Sequence, residues 1–243
     1  MTKPLHPGRA AESGVNSARL AAAGFTANAD AVLGNQGFVQ AASTPDNTND
    51  RLTKVANDWL ILGTLFKYHA ACHLTHSAIE SVLKLKTTLD VEDLTSLSIT
   101  VHPGLLDVCG IKEPKTGLEG KFSLRGTASL ALNGIDTANP ETYIDEVIGG
   151  DAVQALIPKV TVDTDDSLTS FQSKVVWVDA QQNAHEQFND LSEPVTDYDD
   201  QGKKLEVKFA SLCDYSRSDS AAQARRVASL LRAAKVSIQD ANQ

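Results

Sequence analysis

The sequence predicts an α+β fold, with helical segments at both ends and an α+β region between them. Three observations lead to this prediction. The first stretch is rich in alanine and has helical spacing, the centre contains short β-branched runs typical of strands, and the last part is helical by period and composition. With 243 residues and 42% hydrophobic composition, the chain has enough apolar material for one large domain or two small ones.

The N-terminal part predicts one helix with a defined end. Helical composition extends over 9–23, and Gly24 follows as a C′ residue that stops the helix. Small side chains such as those of Ala21 and Ala22 predict close packing of this helix against other helices. The polar stretch 42–50 is a candidate domain boundary.

The residues before this helix form a second feature. Pro4 and Pro7 predict an extended approach to the helix, because proline fixes its own backbone and restricts the preceding residue. Lys3, His6 and Arg9 would then place cationic or titratable side chains around the helix start.

Periodicity predicts the remaining elements in order. Strands are predicted from apolar or alternating runs at 59–66, 96–102, 160–162, 173–178 and 184–188. The last two strands would pair across a turn at 179–183. Helices are predicted at 76–86, 122–132, 203–210 and 221–234, the first of them with Thr75 as its N-cap.

Charge and cysteine content exclude several classes of partner. The formal net charge is −9, and between Glu141 and Asp200 there are 14 acidic side chains against two basic ones. Such a segment repels nucleic acid and anionic membranes, so neither partner is expected. No run approaches the length of a membrane span or a signal-peptide core. Three widely separated cysteines argue against a disulfide framework and favour a reducing, cytoplasmic compartment.

The densest chemical cluster lies between residues 67 and 76. Three of the six histidines fall within eight positions there, beside Lys67 and Cys72. The predicted strand-to-helix junction would expose polar side chains and free backbone N–H groups to an anion. Histidine and lysine can supply proton transfers next to a carboxylate. The cluster therefore predicts a functional site for a carboxylate.

Two alternatives compete with this prediction. On a helix, His69, Cys72, His73 and His76 would share a face and could bind zinc, although the sequence offers no second ligand pair. These side chains could also simply cap the helix and fill space.

Three ordered motifs resemble the MmgE/PrpD family over essentially the whole chain. TKPLHPGRAAESG, followed by an alanine-rich helix, is similar to the middle of these proteins. FKYHAACHLTHSAIESVL is similar to their second signature, and GKFSLRGTASLAL resembles a helix of their lid domain. The family includes 2-methylcitrate dehydratase, cis-aconitate decarboxylase and iminodisuccinate epimerase.

The resemblance implies a fold and a domain division. Family members have an all-helical domain and a smaller α+β lid, with the active site between them and no metal or organic cofactor. Residues 1–52 would belong to the helical domain, 53–195 would form the lid, and 196–243 would return to the helical domain. The chain resembles the C-terminal half of a family member.

The resemblance also implies roles for individual residues. Lys3, Lys67 and His76 match active-site positions and are the expected catalytic residues. His6, Cys72 and His73 are the expected substrate-binding residues. Cys72 occupies a place where the decarboxylases have a histidine, which argues against decarboxylation.

The implied activity is that of a lyase or isomerase acting on a small di- or tricarboxylate, similar to 2-methylcitrate dehydratase. A proton would move next to a carboxylate, and the two lysines would hold the substrate carboxylates. The expected partners are a small polycarboxylate and either a further copy of the chain, as in a homodimer, or a separately encoded N-terminal half. A non-catalytic fragment that binds carboxylates and a metal-binding interaction module remain alternatives.

Overall fold

A computed structural model describes residues 2–42, 63–215 and the single positions 222, 225 and 229, with only the backbone described for residues 2–4 and 213–215. The chain divides into two compact units, 1–59 and 60–243. The α-helices are α1 Thr2–Ala22, α2 Phe38–Ala42, α3 His76–Leu85, α4 Leu106–Cys109, α5 Gly117–Gly120, α6 Leu124–Leu132, α7 Asp145–Ile148, α8 Asp151–Leu156 and α9 Tyr198–Tyr215. The strands are β1 Leu94–Val101, β2 Val160–Thr164, β3 Gln172–Asp179 and β4 Ala184–Asp190. Single 3₁₀ turns lie at His73–Thr75, Val91–Asp93, Pro103–Leu105, Pro140–Thr142 and Ile157–Lys159.

Helix α1 confirms the predicted helix but begins at Thr2. The expected extended approach through Pro4 and Pro7 is therefore wrong. Pro4 lies among the first four residues of the helix, whose N–H groups have no intrahelical acceptor in any case, so it costs no hydrogen bond there. Pro7 lies inside the helix and is tolerated one turn from its start.

The end of α1 follows the prediction. Gly24 has a φ of 91°, a conformation that a residue without a Cβ adopts readily. Its N–H donates to the Ala21 carbonyl at 3.0 Å, and the N–H of Phe25 donates to the Leu20 carbonyl at 2.9 Å. These two bonds form a Schellman motif that satisfies the last carbonyls of the helix. The predicted boundary at 42–50 lies almost wholly outside the described residues.

The second unit is built around a four-stranded mixed sheet of order β2-β1-β3-β4. Strand β1 runs parallel to β2, and both other neighbouring pairs are antiparallel. The parallel pair needs a long crossover, and α4 to α8 supply it between the two strands. The predicted strands 96–102, 160–162, 173–178 and 184–188 are confirmed.

One face of the sheet is buried by helices. In the register between β1 and β3, Leu97 lies opposite Trp177 and Ile99 lies opposite Val175, and all four side chains are inaccessible to solvent. Helix α3 packs on β3 and β4 over this face, and α6 packs on α3 and β2. This burial supplies the main hydrophobic stabilisation of the unit.

The strand predicted over 59–66 is not formed in its described part. Residues 64–66 have no regular structure, and Phe66 is exposed. Short apolar runs do not identify a strand by themselves, because a buried helix segment or an apolar loop has the same pattern. Residues 59–62 lie outside the described part of the chain.

Helix α9 confirms the helix predicted over 203–210 and lies within the same compact unit as the sheet. The helix predicted over 221–234 falls almost wholly on residues outside the described part. The assignment of 196–243 to a separate helical domain stays a prediction. Within the described residues, no helix has the length and apolarity needed to cross a membrane.

Candidate active site

The segment 67–75 is an irregular stretch that the rest of the unit holds in place. The N–H of Ala70 donates to the Thr137 carbonyl at 2.9 Å, and the N–H of Cys72 donates to the Lys121 carbonyl at 3.0 Å. These two acceptors lie on opposite sides of α6 in sequence. A 3₁₀ turn over His73–Thr75 then leads directly into α3. Non-local hydrogen bonds therefore fix the conformation of the predicted site.

Thr75 occupies the predicted N-cap position of α3 but does not cap the helix through its side chain. Its hydroxyl instead donates to the Cys72 carbonyl at 2.8 Å. The prediction of Thr75 as a side-chain cap is therefore wrong in its chemistry. The preceding 3₁₀ turn brings the Cys72 carbonyl within reach of the Thr75 hydroxyl. The hydroxyl therefore bonds to this carbonyl instead of to an N–H group of the helix.

His69 is buried and bonded at both ring nitrogens. Its Nε2 lies 3.1 Å from Oε1 of Glu80, and its Nδ1 lies 2.7 Å from Oγ1 of Thr137. A carboxylate only accepts, so Nε2 carries the proton, and in the neutral ring the Thr137 hydroxyl donates to Nδ1. The pKa of Glu80 is held below its usual value, chiefly by this hydrogen bond to His69. His69 thus joins α3 to the loop after α6.

His76 is enclosed at the start of α3 and is 1% exposed. Burial is the main cause that lowers its pKa to about 2, and the positive field of His69, His73 and Lys67 adds to it. Its hydrogen bond to the Ala71 carbonyl raises the pKa but does not outweigh these effects. Its Nε2 has no hydrogen-bond partner among the described residues. The ring is therefore neutral near pH 7, and its catalytic role stays a prediction that needs the enclosure to open.

His73 is half-buried beside His76, with ring centroids 4.9 Å apart. Its other neighbour is the ring of Phe171, at 5.5 Å. Burial lowers its pKa, and the ammonium groups of Lys67 and Lys208 lower it further. His73 is thus a neutral imidazole close to two cations and more accessible than His76.

Lys67 is exposed, and its neighbour Lys208 comes from α9. The Lys208 ammonium donates a hydrogen bond to the Lys67 carbonyl and lies 3.5 Å from the His69 carbonyl. Burial and the charge of Lys67 lower the pKa of Lys208. Both side chains line a cavity of about 510 Å³ whose other walls include Leu205 and Phe209. Two lysines and one acid, Glu206, therefore border one concave, mainly apolar space.

A second cavity of about 470 Å³ lies on the other side of Lys208 and contacts His69, Glu80 and Thr137. Tyr68 links its wall to α9. The Gln201 amide donates to the Tyr68 hydroxyl at 3.3 Å, and the Lys204 ammonium lies 5.5 Å from the centre of the Tyr68 ring. Helix α9 thus adds Lys203, Lys204 and Lys208 to the wall of this cavity, and Lys204 is paired with Asp200 at 3.1 Å.

Cys72 faces the core of the unit through its contact with Cys109. The pKa of the Cys109 thiol is raised, first by a hydrogen bond with the Cys72 thiol and then by burial. Neither cysteine forms a disulfide. Cys72 packs against the main hydrophobic cluster, so its predicted contact with substrate stays a prediction.

The structure brings together four of the six predicted site residues in one unit, namely Lys67, Cys72, His73 and His76. Lys3 and His6 belong to α1 in the other unit. His6 is exposed, and the position of the Lys3 side chain lies outside the described atoms. The roles of both residues stay predictions.

The alternative of a zinc site does not fit the geometry. His69, Cys72, His73 and His76 all lie in the described part of the chain, and they form no group of three or more ligands that could hold a metal ion. His69 uses both ring nitrogens for other bonds. Of these four residues, His76 alone lies in an α-helix and His73 begins a single 3₁₀ turn, so the predicted shared helical face does not exist.

Sequence reasoning missed Glu80, Thr137 and Lys208. Glu80 lies one turn after His76 on α3, a spacing that could have drawn attention to it. Thr137 and Lys208 contact the 67–76 segment across 68 and 141 positions of sequence. No local pattern carries such a signal.

Comparison with known proteins gives one result for the family. A family model described as the MmgE/PrpD C-terminal domain matches residues 69–232. The search of curated proteins found no match.

Proposed function

We propose, from the premise that this chain belongs to the MmgE/PrpD family, that it is a lyase or isomerase acting on a small di- or tricarboxylate. The reaction would move a proton on a carbon next to a carboxylate, as in 2-methylcitrate dehydratase. Family membership supports the general class of reaction. The arrangement around Lys67 supports the class of substrate.

The observation that carries this proposal is the pair of neighbouring lysines, Lys67 and Lys208, which outnumber the single acid, Glu206, on the wall of one cavity. Lys67 lies close enough to lower the pKa of His73, His76 and Lys208 through its charge. Like charges held together raise the free energy of the empty site, and a bound anion relieves that repulsion. A polycarboxylate offers several negative groups to such a site. The apolar walls of the cavity strengthen each charge interaction by excluding water.

Proton transfer next to a carboxylate passes through an enolate-like species. Ammonium groups aimed at the carboxylate stabilise the charge that develops on it. Lys67 is the proposed clamp for this carboxylate. A general base works best when its pKa lies near the working pH, and the lowered pKa of Lys208 moves that group in the useful direction.

His73 is the proposed imidazole of the reaction. Its lowered pKa keeps it neutral near pH 7, so it can accept a proton, and it is half-buried where His76 is enclosed. The buried ring of His76 would then pack against His73 and help to hold it in position. Lys3, His6 and Cys72 keep their predicted roles in substrate binding or catalysis as part of the proposal.

The proposed partners are a small polycarboxylate and a further protein surface that completes the site. That surface would come from a separately encoded N-terminal half or from a second copy of the chain. Sedimentation at micromolar concentration tests the second possibility, and a monodisperse monomer would contradict it.

Turnover assays test the proposed activity. The chain is assayed with citrate, 2-methylcitrate and cis-aconitate, first alone and then mixed with a family N-terminal half. We expect turnover of at least one acid, and Lys67→Ala should lower it by about a hundredfold or more, because losing one preorganised stabilising group has that effect. Lys84→Ala, at an exposed lysine of α3, is the matched control. The absence of turnover with every acid and both protein combinations would contradict the proposal.

Carboxylate binding without chemistry is a second candidate function. The enclosure of His76 favours it, since this predicted catalytic imidazole has no exposed nitrogen. Calorimetry with citrate distinguishes the two functions. Binding that Lys67→Ala abolishes, together with no turnover in any mixture, would support the binding function.

A further inference from the structure

A small cavity bordered by two cations lies between α4, α6 and β2. It measures about 200 Å³, and Cys109, Leu124 and Val162 contribute apolar walls. Arg125 and Lys112 also line it. Its lining shares no residue with the cavity at Lys67.

Arg125 is a partly buried residue, and its guanidinium has no hydrogen-bond or ion-pair partner among the residues that the structure describes. Lys112 is exposed and likewise has no partner within the described part of the chain. The acids next in sequence, Asp107 and Glu113, do not line the cavity. The chain has a net charge of −9 and many carboxylates, yet none of the described ones pairs with Arg125. An external anion would satisfy its donors.

The local framework holds Arg125 in place. The Ser123 hydroxyl donates to the Ile111 carbonyl at 2.6 Å and accepts from the N–H of Gly126 at 2.9 Å. A β-bridge between Gly110 and Ser123 adds a second link. These bonds tie the segment that carries Lys112 to the first turn of α6, which carries Arg125. The backbone positions that carry the two cations are therefore fixed relative to each other before any ligand binds, which lowers part of the entropic cost of binding.

We propose that Arg125 and Lys112 form a binding site for a small carboxylate whose short apolar chain lies against Cys109, Leu124 and Val162. Arginine pairs with a carboxylate through two parallel hydrogen bonds, and a lysine adds a point charge. The volume lies below the roughly 300–1,000 Å³ of sites for drug-sized ligands, so the ligand is a small acid.

This site stands independently of the proposed catalytic function. Its wall residue Cys109 contacts the Cys72 thiol and feels the charge of Lys67, but the two cavities share no lining residue. The test therefore uses a protein that lacks the Lys67 ammonium, and any binding measured there is assigned to Arg125 only if Arg125→Gln weakens it.

Isothermal titration calorimetry with succinate tests the proposal in a Lys67→Ala background. We expect one binding event, and Arg125→Gln should weaken it by about tenfold or more. Lys112→Gln should weaken it less, because this exposed lysine supplies a single screened charge. Succinamide, which has the same shape without the charges, should not bind. Lys84→Ala is the control for a surface lysine far from the cavity in sequence.

The outcomes separate the two proposals. Unchanged succinate affinity in Arg125→Gln, or no binding in the Lys67→Ala background, would overturn this site and leave the proposed activity untouched. Loss of binding at Arg125 would support the site even if no acid is turned over. Thermal unfolding of each variant verifies folding, and if Arg125→Gln does not fold, Arg125→Lys and Lys112→Gln give the decisive affinities.

Discussion

The two ends of α3 lie in different environments. Toward its C-terminal end, Ile79, Val82 and Leu85 are buried in the main hydrophobic cluster of the unit. At its N-terminal end, His76 is equally inaccessible but touches other imidazole rings, with ring centroids 4.8 Å from His69 and 4.9 Å from His73. Equal burial therefore has different consequences. Apolar burial stabilises the fold, whereas burial of histidines fixes their protonation state.

The N-terminal, polar end of α3 is held to the sheet by hydrogen bonds. The Ser77 hydroxyl lies 2.8 Å from the hydroxyl of Ser173 on β3 and 2.8 Å from the Asn189 carbonyl on β4. These bonds attach the first turn of α3 to the sheet. Well-satisfied polar groups and one unsatisfied imidazole nitrogen thus lie within two residues of each other. Where a fold tolerates an unsatisfied buried group, a functional reason is a sensible hypothesis.

The largest expected effect is at the apolar end. Ile79→Ala removes a fully buried side chain, and we expect a loss of about 2–5 kcal/mol in the free energy of unfolding because a cavity replaces packed atoms. Denaturant titration measures it. Lys84→Ala, on the same helix but exposed, should change stability by less than about 0.5 kcal/mol. A loss below about 1 kcal/mol in Ile79→Ala would show that the apolar end does not dominate stability.

The next effect is the pH dependence that His76 imposes. Its pKa is lowered to about 2 in the folded protein, so between pH 6.5 and 4.5 the unfolded chain binds the proton and the folded one does not. The contribution of the neutral, buried His76 to the free energy of unfolding is therefore fully present above pH 6.5. It is lost as the pH drops. His76→Leu should remove a slope of up to about 1.4 kcal/mol per pH unit in this window.

Denaturant titrations at several pH values measure this slope. Glu80 and Asp179 also have lowered pKa values, but their contributions are lost only at more acidic pH. In His76→Leu, the lowered pKa of His73 still gives a smaller dependence of stability on pH, with the same sign. His102→Asn is a suitable control, since it removes a titratable ring and keeps a side-chain acceptor for the N–H of Gly104. Equal slopes in wild type and His76→Leu would contradict the prediction.

A smaller effect is expected for the bond between Glu80 and His69. Glu80→Gln keeps the shape of the side chain and removes its charge. We expect this variant to lose about 1 kcal/mol in the free energy of unfolding at pH 7. The pKa of Glu80 is lowered by folding, so its contribution is present above pH 4.5 and is lost as the pH falls below that value. The difference in the free energy of unfolding between wild type and Glu80→Gln should therefore become smaller below pH 4.5. A difference that does not depend on pH would mean that the charge plays no part.

The smallest effect on stability is expected for Lys67, which is exposed. Lys67→Ala should change the free energy of unfolding by less than about 0.5 kcal/mol. It should nevertheless raise the pKa of His73, because the charge of Lys67 is one of the causes that lower it. NMR titration of the imidazole resonances measures this change. Lys84→Ala should leave the pKa of His73 where it is, and an unchanged pKa in Lys67→Ala would disprove the proximity of the two groups.

Much of the secondary structure follows from local pattern. The run Ser96 to Val101 alternates in polarity and forms a strand, and the apolar spacing of Ile79, Val82 and Leu85 gives a helix. Prediction failed where a local pattern was ambiguous, as with the apolar run that ends at Phe66. It also failed at Pro4, because the first turn of a helix accommodates proline as readily as an extended segment does. It failed at Pro7 because the helix continues through that residue, where proline is normally unfavourable.

The candidate site was only partly predictable. The sequence pointed to the cluster of lysine, cysteine and histidines at 67–76, because unusual residue types were dense there. It gave no indication that Lys208 would join Lys67, or that Arg125 would face a cavity without a protein acceptor. Each of these facts depends on which distant segments come together.

By itself, the sequence determined the periodicity that forms α3, α6 and the four strands, and the motifs that place the chain in its family. The tertiary structure alone decided that His76 is enclosed and neutral while His73 is half-exposed, although the two histidines are three residues apart. The physical reason is that backbone pattern depends on near neighbours in the chain, whereas protonation depends on burial and charge. In this protein, those come from residues up to 141 positions away.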